Sequence, residues 1–504
     1  MDKNRQFQLF LLVSVFIVAT CGLIYELVAG ALASYLLGDS VKQFSFIIGT
    51  YLFSMGVGAF FAKFIKKDLI NRFIEIELLI GLIGGMSAVI LFLLFQKAVH
   101  FQIFLYLFVF LTGCLTGMEI PILMNILKNK VSFRNLVSDV FTFDYIGALI
   151  ASVLFPTLLL PKLGVMGTSL LFGLINILVG ISLCIYLHKE IKNPRQLHVK
   201  AFLSLAIVLT AFYFSNDILK FTESNLYQSN VIYKHSTPYQ RIILTEDQNN
   251  YQLYLNNNLQ FNTKDEYRYH DLLVHPAMAA APNVSKVLVL GGGDGLAVRE
   301  ILKYNEVKEV VLVDLDKGMT DLFRTNEILR KHNNNSLNNK KVTIVNDDAF
   351  IWAKNNQQKF DVIIIDFPDP SNYSLGKLYS SFFYKTLYQS MTNNAVVTVQ
   401  STSPYFAPKS FWCIHKTVEY TYANIVPYHV YVPSFGEWGF SIFSPNPTIH
   451  LNKVNRRVDH LKFYKYDLNS YTDFPEDMKA ENLELNRLDN QSLVRYFDEE
   501  WSKI

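Results

Sequence analysis

The sequence predicts a multi-span α-helical membrane domain, followed by a small antiparallel β domain and an α/β doubly wound domain. Three observations predict this. Several runs of about 18–22 apolar residues fill the first part of the chain, long enough to cross a hydrocarbon core. From Lys286, an apolar β-branched run ends in a glycine-rich turn, KVLVLGGGDGL, and leads into a helix-like stretch. After it, strand-like and helix-like stretches alternate, until the last two strands follow each other directly.

The chain has 504 residues, enough for two or three domains. Its net charge of +3 offers no basic field for a nucleic-acid partner. Cys21, Cys114, Cys184 and Cys413 are scattered, and three lie in apolar runs, so neither a disulfide framework nor a metal cluster is suggested. The first apolar run is too long for a signal-peptide core, lacks a clear small-residue cleavage site and is followed by further spans.

The candidate spans are Leu9–Leu27, Phe44–Phe64, Ile74–Phe95, Phe101–Leu123, Phe141–Leu160, Gly164–Leu187 and, as the weakest, Ala201–Leu219. Lys3 and Arg5 precede the first, Lys63 ends the second, Lys66, Lys67 and Arg72 sit between it and the third, and Lys128, Lys130 and Arg134 follow the fourth. Lys189, Lys192, Arg195 and Lys200 follow the sixth. The alternate loops carry only Lys42, Lys97 and Lys162, so the basic loops and the N-terminus are expected on the cytoplasmic side. Asn216, Asp217 and Lys220 crowd the end of the seventh run, which either crosses or lies at the interface or re-enters. Glu26, Glu119 and Asp144 are acids within spans. Glu26 and Glu119 could bind a cation such as a polyamine, or could sit at the interface or hydrogen-bond between helices. Gly81, Gly84, Gly85, Gly56 and Gly58 read as sites of close helix packing. This domain takes residues 1–221 and six or seven helices.

Residues 222–284 read as the small β domain with a helix. Val231–Tyr233, Tyr239–Thr245 and Tyr251–Leu255 are strands, and Asp247–Asn250 and Asn256–Asn258 are turns. Thr263–Ala279 is the helix. Its neighbours Tyr269 and His270 point in different directions, and a histidine there serves packing or surface as readily as a site.

The α/β domain takes residues 285–446. Its strands are Lys286–Leu290, Val310–Val313, Val342–Val345, Val362–Ile365, Ala395–Gln400, Asn424–Val432 and Phe440–Phe443, the pattern of Rossmann-like, class I methyltransferase-like sheets. Glycine admits positive φ and close approach of a ligand to the backbone. Asp314 ends the second strand, roughly 20 residues after the glycines, where an acid can hold ribose hydroxyls. Asp348 and Asp366 end the third and fourth strands. Asp366 and Asp369 share a loop stiffened by Pro368 and Pro370, which suggests a cationic substrate, a proton acceptor or both. The bland reading of Asp369 is a cap on the next turn. Ser371–Lys377, with Gly376, could close over the site as a lid. Residues 447–504 form a polar extension, either packed as helices or partly mobile, with no chemistry evident.

Taken together, these motifs resemble the spermidine synthase family of polyamine aminopropyltransferases. The resemblance runs from about Tyr239 to Pro445 and rests on Tyr239-Gln240, Asp265-Glu266, Tyr269-His270, the Leu290–Gly295 turn, Val313-Asp-Leu-Asp316 and Asp348-Ala-Phe350. Asp366-Phe-Pro-Asp-Pro370 and Val432-Pro-Ser-Phe-Gly-Glu-Trp-Gly-Phe440 complete it. The multi-span half is similar to that of membrane-attached bacterial members.

The resemblance implies transfer of an aminopropyl group from decarboxylated S-adenosylmethionine to putrescine, giving spermidine and methylthioadenosine. Gln240 would contact the nucleoside, Asp314 the ribose, and Asp348 with the backbone at Ala349 the adenine. His270 and Asp294, with Tyr269 beside them, would contact the amine-bearing chain. Asp366 would accept the proton, and Asp369 would help hold the diamine. No cofactor or metal is implied, because the sulfonium is a co-substrate that already carries its leaving group. A homo-oligomer built through the small β region is also implied. The cytosolic location of both substrates would place the catalytic part in the cytosol and favour six crossings of the cell membrane. Departures lie mainly on the acceptor side: Asp314 replaces the usual Glu, Ala349 a Gly, Phe367-Pro368 a Ser-Ser/Thr pair, and Val432 a tyrosine. Two other readings stand beside this one: a methyltransferase of the same fold using S-adenosylmethionine, and a polyamine-sensing or transport-coupled membrane protein.

Overall fold

The computed structural model describes residues 3–37, 40–95, 100–128, 133–219, 227 and 229–501. The expected boundary at 221/222, Lys97, Lys130, Lys220 and the side chains of Lys3, Arg5 and Arg134 lie outside the described residues. Two compact units emerge, Met1–Asn230 and Val231–Ile504; the β region, the α/β domain and the polar extension all belong to the second.

The first unit is a helical bundle: α1 Lys3–Leu37, α2 Ser40–Ala62, α3 Leu69–Phe95, α4 Phe101–Leu127, α5 Phe133–Leu154, α6 Leu160–Tyr186 and α7 Pro194–Tyr213. A π-helical turn, Phe155–Leu159, joins α5 to α6. The apolar stretch Val137–Tyr186 is thus 50 residues long. At 1.5 Å rise this is about 75 Å, more than twice one bilayer core. Gly164, with φ 67° and ψ −179°, breaks the helix there. α5 packs on α1, and α6 packs on α3 and α1. Counting α5 through α6 as one, the described residues hold six helices long and apolar enough to span.

Small residues set the close approaches, as expected from most of the glycines. A Cβ on Gly81 would come within 2.8 Å of the Gly173 carbonyl on α6, and one on Gly85 within 2.9 Å of the Gly173 Cα. Gly58 meets the Cys114 backbone on α4, and Gly84 meets the ring of Tyr25. Gly56 is the exception: it faces open space and serves no packing contact. α7 begins earlier than the apolar run suggested. Leu197, Ala201, Ser204, Val208 and Ala211 are its buried face, at helical spacing from end to end. It therefore packs lengthwise on α6 and α3. Among the span acids, Glu119 is buried while Glu26 and Asp144 are half-buried. Glu77, not singled out from sequence, is fully enclosed at 0% exposure.

The second unit opens with a four-stranded antiparallel sheet, β1 Asn230–Ser236, β2 Arg241–Asp247, β3 Asn250–Leu255 and β4 Asn258–Asn262. The last strand was not expected. Asn256 (φ 49°) and Asn257 (φ 69°) form a two-residue hairpin turn, so Asn258 already starts β4. Next come α8 Glu266–Ala280, β5 Lys286–Gly291, α9 Leu296–Ile301, β6 Glu309–Val313, β7 Val342–Val345, β8 Phe360–Asp366, β9 Met391–Gln400, β10 Asn424–Val432 and β11 Gly436–Ser444. Their order in the sheet is β10-β11-β9-β8-β5-β6-β7. β5 to β9 run parallel, and β11 is antiparallel to both β9 and β10. Both faces are covered: Val287, Val289, Val362 and Ile364 enter one core, Leu288, Leu290, Ile363 and Ile365 the other. That is why these strands read as continuous apolar runs. The chain reverses its direction of winding between β5 and β8, where Gly291 pairs in register with Asp366. A doubly wound sheet opens its ligand crevice at such a switch point.

The polar extension is stitched down, mostly without helix. Arg456 Nη1 donates to the Met278 carbonyl at 2.8 Å and Nη2 to that of Pro282 at 3.0 Å. Asp271 Oδ2 accepts from the amides of Phe463 (2.8 Å) and Tyr464 (3.2 Å). Glu500, on the closing helix Ser492–Trp501, accepts from the amides of Lys409 (2.8 Å) and Ser410 (3.1 Å). The extension thus fixes α8 from behind.

Candidate active site

The glycine turn brings two acids to one place. Gly291, Gly292 and Gly295 adopt φ of 80°, 65° and 74°, a region that disfavours any side chain. A Cβ on Gly291 would collide with the Asp366 carbonyl, and one on Gly293 would lie 2.7 Å from the Asp314 carboxyl carbon. Glycine at both positions lets the turn close on the ends of β8 and β6. Asp314 uses both oxygens on backbone: Oδ2 accepts from Gly293 N at 3.0 Å and Oδ1 from Asp316 N at 2.9 Å. Burial pushes its carboxyl up to about 7, against those two amides. Gln240 does not reach Asp314; its Nε2 donates to Asp316 Oδ2 at 2.8 Å, beside Thr237 Oγ1, also at 2.8 Å. On the expectation from the resemblance that Asp314 holds the ribose, Asp314→Ala should weaken methylthioadenosine binding about tenfold or more by removing a buried acceptor. Calorimetric titration showing unchanged affinity would place the ribose elsewhere.

Asp348 has a structural duty. It caps the helix Ala349–Asn355 through Phe350 N at 2.8 Å, and its Oδ2 accepts from Lys377 Nζ at 2.7 Å. Ala349 is buried behind it. Lys377 ends the segment read as a lid, and Asn486 Nδ2 holds the Gly376 carbonyl at 2.8 Å. In this structure that segment is therefore tied both to Asp348 and to the polar extension.

The other acids gather around α8. Tyr269 Oη donates to Asp366 Oδ1 at 2.5 Å. The His270 ring lies edge-on to that of Tyr269 at 5.1 Å, so these neighbours meet instead of diverging. Successive helical side chains differ by about 100°, yet both rings are wide enough to touch. Phe440, Phe435 and Trp438 surround Tyr269 at 5.2, 6.3 and 6.3 Å. Asp265 holds their loop by accepting from Ser434 N (2.7 Å) and Oγ (2.9 Å). Val432 is fully buried in the same apolar core as Tyr269. Asp294 caps the turn into α9, its Oδ1 accepting from Leu296 N at 2.9 Å. Asp369 does not cap the next turn with its side chain. Ser371 N bonds its main-chain carbonyl at 2.7 Å, and Oδ1 has no partner among the described residues.

Sequence reading quoted Glu266 without giving it a role, and passed over Arg299. Glu266 Oε2 meets His270 Nδ1 at 2.7 Å, and Arg299 grips both its oxygens at 3.0 Å. The i, i+4 spacing of Glu266 and His270 on a helix was the available signal. Burial opposes charge on His270, but Glu266 holds its imidazolium up to about 9, helped by Asp294 and Asp366. Burial raises Asp366 to about 6, and the negative charge of Asp294 adds to this, while His270 and Tyr269 pull it down. Burial also raises Asp369 to about 7 and lifts Asp294. The pocket therefore holds carboxyls poised near neutrality beside one fixed cation.

A doubly wound sheet with a glycine turn closed on the acid that follows β6, and carboxyls poised near neutrality at the switch point, is the arrangement of a nucleoside-binding transferase. A spermine/spermidine synthase domain matches residues 266–453. The chain is 50% identical over 501 residues to a polyamine aminopropyltransferase of Leptospira interrogans, covering 99% of each chain. It is 46% identical over 502 residues to polyamine aminopropyltransferase 2 of Ralstonia nicotianae, covering 98% of each. A crystal structure of spermidine synthase in complex with the transition state analogue AdoDATO matches 55% of this chain and 89% of its own at 23% identity and a TM-score of 0.45. The chain belongs to the polyamine aminopropyltransferase family.

Proposed function

We propose that the protein transfers the aminopropyl group of decarboxylated S-adenosylmethionine to putrescine, with Asp366 as proton acceptor. The observation that carries this reading is the placement of Asp366 at the switch point, in register with Gly291 of the glycine turn and hydrogen-bonded to Tyr269, with Asp369 three residues further along its loop. The nucleoside would lie along Asp314, Gln240 and Asp348, and the amine chains along Asp294, His270 and Asp369. An alkylammonium entering the pocket is attracted by the carboxyls. Once the ammonium has given up a proton, the freed nitrogen lone pair attacks the carbon beside the sulfonium, the C–S bond breaks and sulfur keeps the pair, leaving the new amine as a secondary ammonium. The proton released from nitrogen passes to Asp366, whose raised value suits a group that must accept a proton near neutral pH. Alignment of amine, carbon and sulfur supplies the rest of the acceleration.

The test is turnover by the detergent-purified protein given decarboxylated S-adenosylmethionine and putrescine, cadaverine or spermidine. Methylthioadenosine and the amine product are followed by mass spectrometry. Release with putrescine supports the reading; release with another amine alone renames the acceptor. Turnover only with S-adenosylmethionine itself would replace this reaction with methyl transfer.

The substrates also argue that the catalytic unit sits on the cytosolic side of the cell membrane. With the basic loops on that side too, an even number of crossings is required, and one of the seven helices returns without crossing. All four native cysteines are buried, so new ones report cleanly. Lys66→Cys and Gln357→Cys, both at exposed positions, are expected to resist a membrane-impermeant thiol reagent in intact cells and to react after lysis. Labelling of position 357 alone in intact cells would put the catalytic unit outside and count seven crossings.

A further inference from the structure

The helical unit encloses a polar cluster that aminopropyl transfer does not use. Glu77 on α3 is 0% exposed and Glu119 on α4 is 6% exposed. Asn176 on α6 donates Nδ2 to Glu77 Oε2 at 2.8 Å. Tyr25 on α1 lays its ring on Gly84 of α3, and its hydroxyl is within electrostatic range of both carboxyls, which are also within range of each other. Side chains of four helices thus lie within electrostatic range of one another in the bundle interior.

The donor and acceptor inventory does not balance there. Glu77 Oε1, Glu119 Oε1, Asn176 Oδ1 and Tyr25 Oη all lack a hydrogen-bond partner among the described residues. Three of these four atoms are oxygens of carboxylate or amide groups, which accept, and the phenol offers a single donor. Among the described residues no Lys, Arg or His forms an ion pair with either glutamate. Were the cluster only glue between helices, its polar atoms would be paired with each other, because unpaired buried acceptors cost about 1–3 kcal/mol each. Only the Asn176–Glu77 contact is of that kind. What completes the inventory is a buried cation rich in N–H donors. A primary ammonium brings three such donors and the charge to match a carboxylate. Hard divalent cations demand six or more oxygens, beyond what this cluster presents.

We propose that Glu77 and Glu119, with Asn176 and Tyr25, form a second amine site inside the helical bundle, one that binds the ammonium end of an aliphatic amine. The site differs from the pair anticipated from sequence in that Glu77, not the half-buried Glu26, lies at its centre. Its existence does not depend on the catalytic assignment.

The experiment is equilibrium binding of radiolabelled putrescine, competed by n-butylamine or sodium, to the full chain in detergent. Asp369→Asn first weakens the amine site of the second unit. The expected result is that this variant still binds one amine per chain, displaced by n-butylamine and not by sodium. Adding Glu77→Gln and Glu119→Gln, which keep side-chain shape and the Asn176 contact, should weaken this binding by more than about tenfold. The Glu77→Gln/Glu119→Gln chain with Asp369 intact should release methylthioadenosine at the wild-type rate. Should Glu77→Gln fail to fold, Glu119→Gln alone is expected to show the same loss. Binding of no amine by Asp369→Asn, retention of binding by the glutamine variants, or displacement by sodium would each overturn the proposal. In the first case the carboxyls share protons instead.

Discussion

Asp366→Asn is expected to lower turnover by about 10²–10⁴-fold while leaving methylthioadenosine binding within about twofold of wild type. The amide keeps the shape of the carboxyl and can still accept from Tyr269, so the crevice should not rearrange. It cannot take up the proton that the attacking amine must lose. The variant should be no less stable at pH 7, because burial holds Asp366 up to about 6, so its charge is a cost to the fold. In the wild type, activity should rise as pH climbs through about 6, where the acceptor becomes ionised, and then level off. Single-turnover release of methylthioadenosine separates the chemical step from binding. A variant retaining more than about a tenth of the wild-type rate would remove Asp366 from the role of base.

Glu266→Gln is the second large effect, although Glu266 does not face the crevice. Its carboxylate is 2% exposed and holds His270 and Arg299, with His332 Nε2 3.2 Å from Oε1. Removing the charge leaves buried cations uncompensated, which typically costs about 3–5 kcal/mol. Urea unfolding should show this loss. The sign of its pH dependence follows from the two partners. Burial opposes the Glu266 charge, but His270, His332 and Arg299 hold the carboxyl well below its usual range, so its contribution is lost as pH falls below about 4.3. His270 is held up to about 9, so the pair contributes fully below about 6.5 and fades as pH rises through 9. In Glu266→Gln the alkaline fade should vanish, and the His270 imidazole resonances should titrate nearer 6.5. A variant as stable as wild type, with His270 still charged at pH 8, would mean that Arg299 and His332 are satisfied by other groups.

The sequence by itself determined the division into an apolar helical part and a doubly wound part, because helix length and strand periodicity are local properties. It also determined the glycine turn and the acids at the strand ends, since each stands at a fixed offset from an apolar strand. Asp366 and Asp369 were legible because their loop follows β8 directly. What only the tertiary structure decided were matters of long-range pairing. The Asp348–Lys377 ion pair and the grip of Arg299 on Glu266 join residues 29 and 33 positions apart. The contact of Tyr269 with Asp366 spans 97 positions. No periodicity encodes such separations. The strand β4 was missed because asparagines at positive φ look the same whether a turn ends in coil or in a hairpin. α7 read as weak because its buried face, from Leu197 to Ala211, begins before the apolar run does. Glu77 was passed over because an acid near the start of an apolar run looks interfacial. Only the helices packed around it reveal that it is enclosed, and burial is a property of neighbours rather than of the residue.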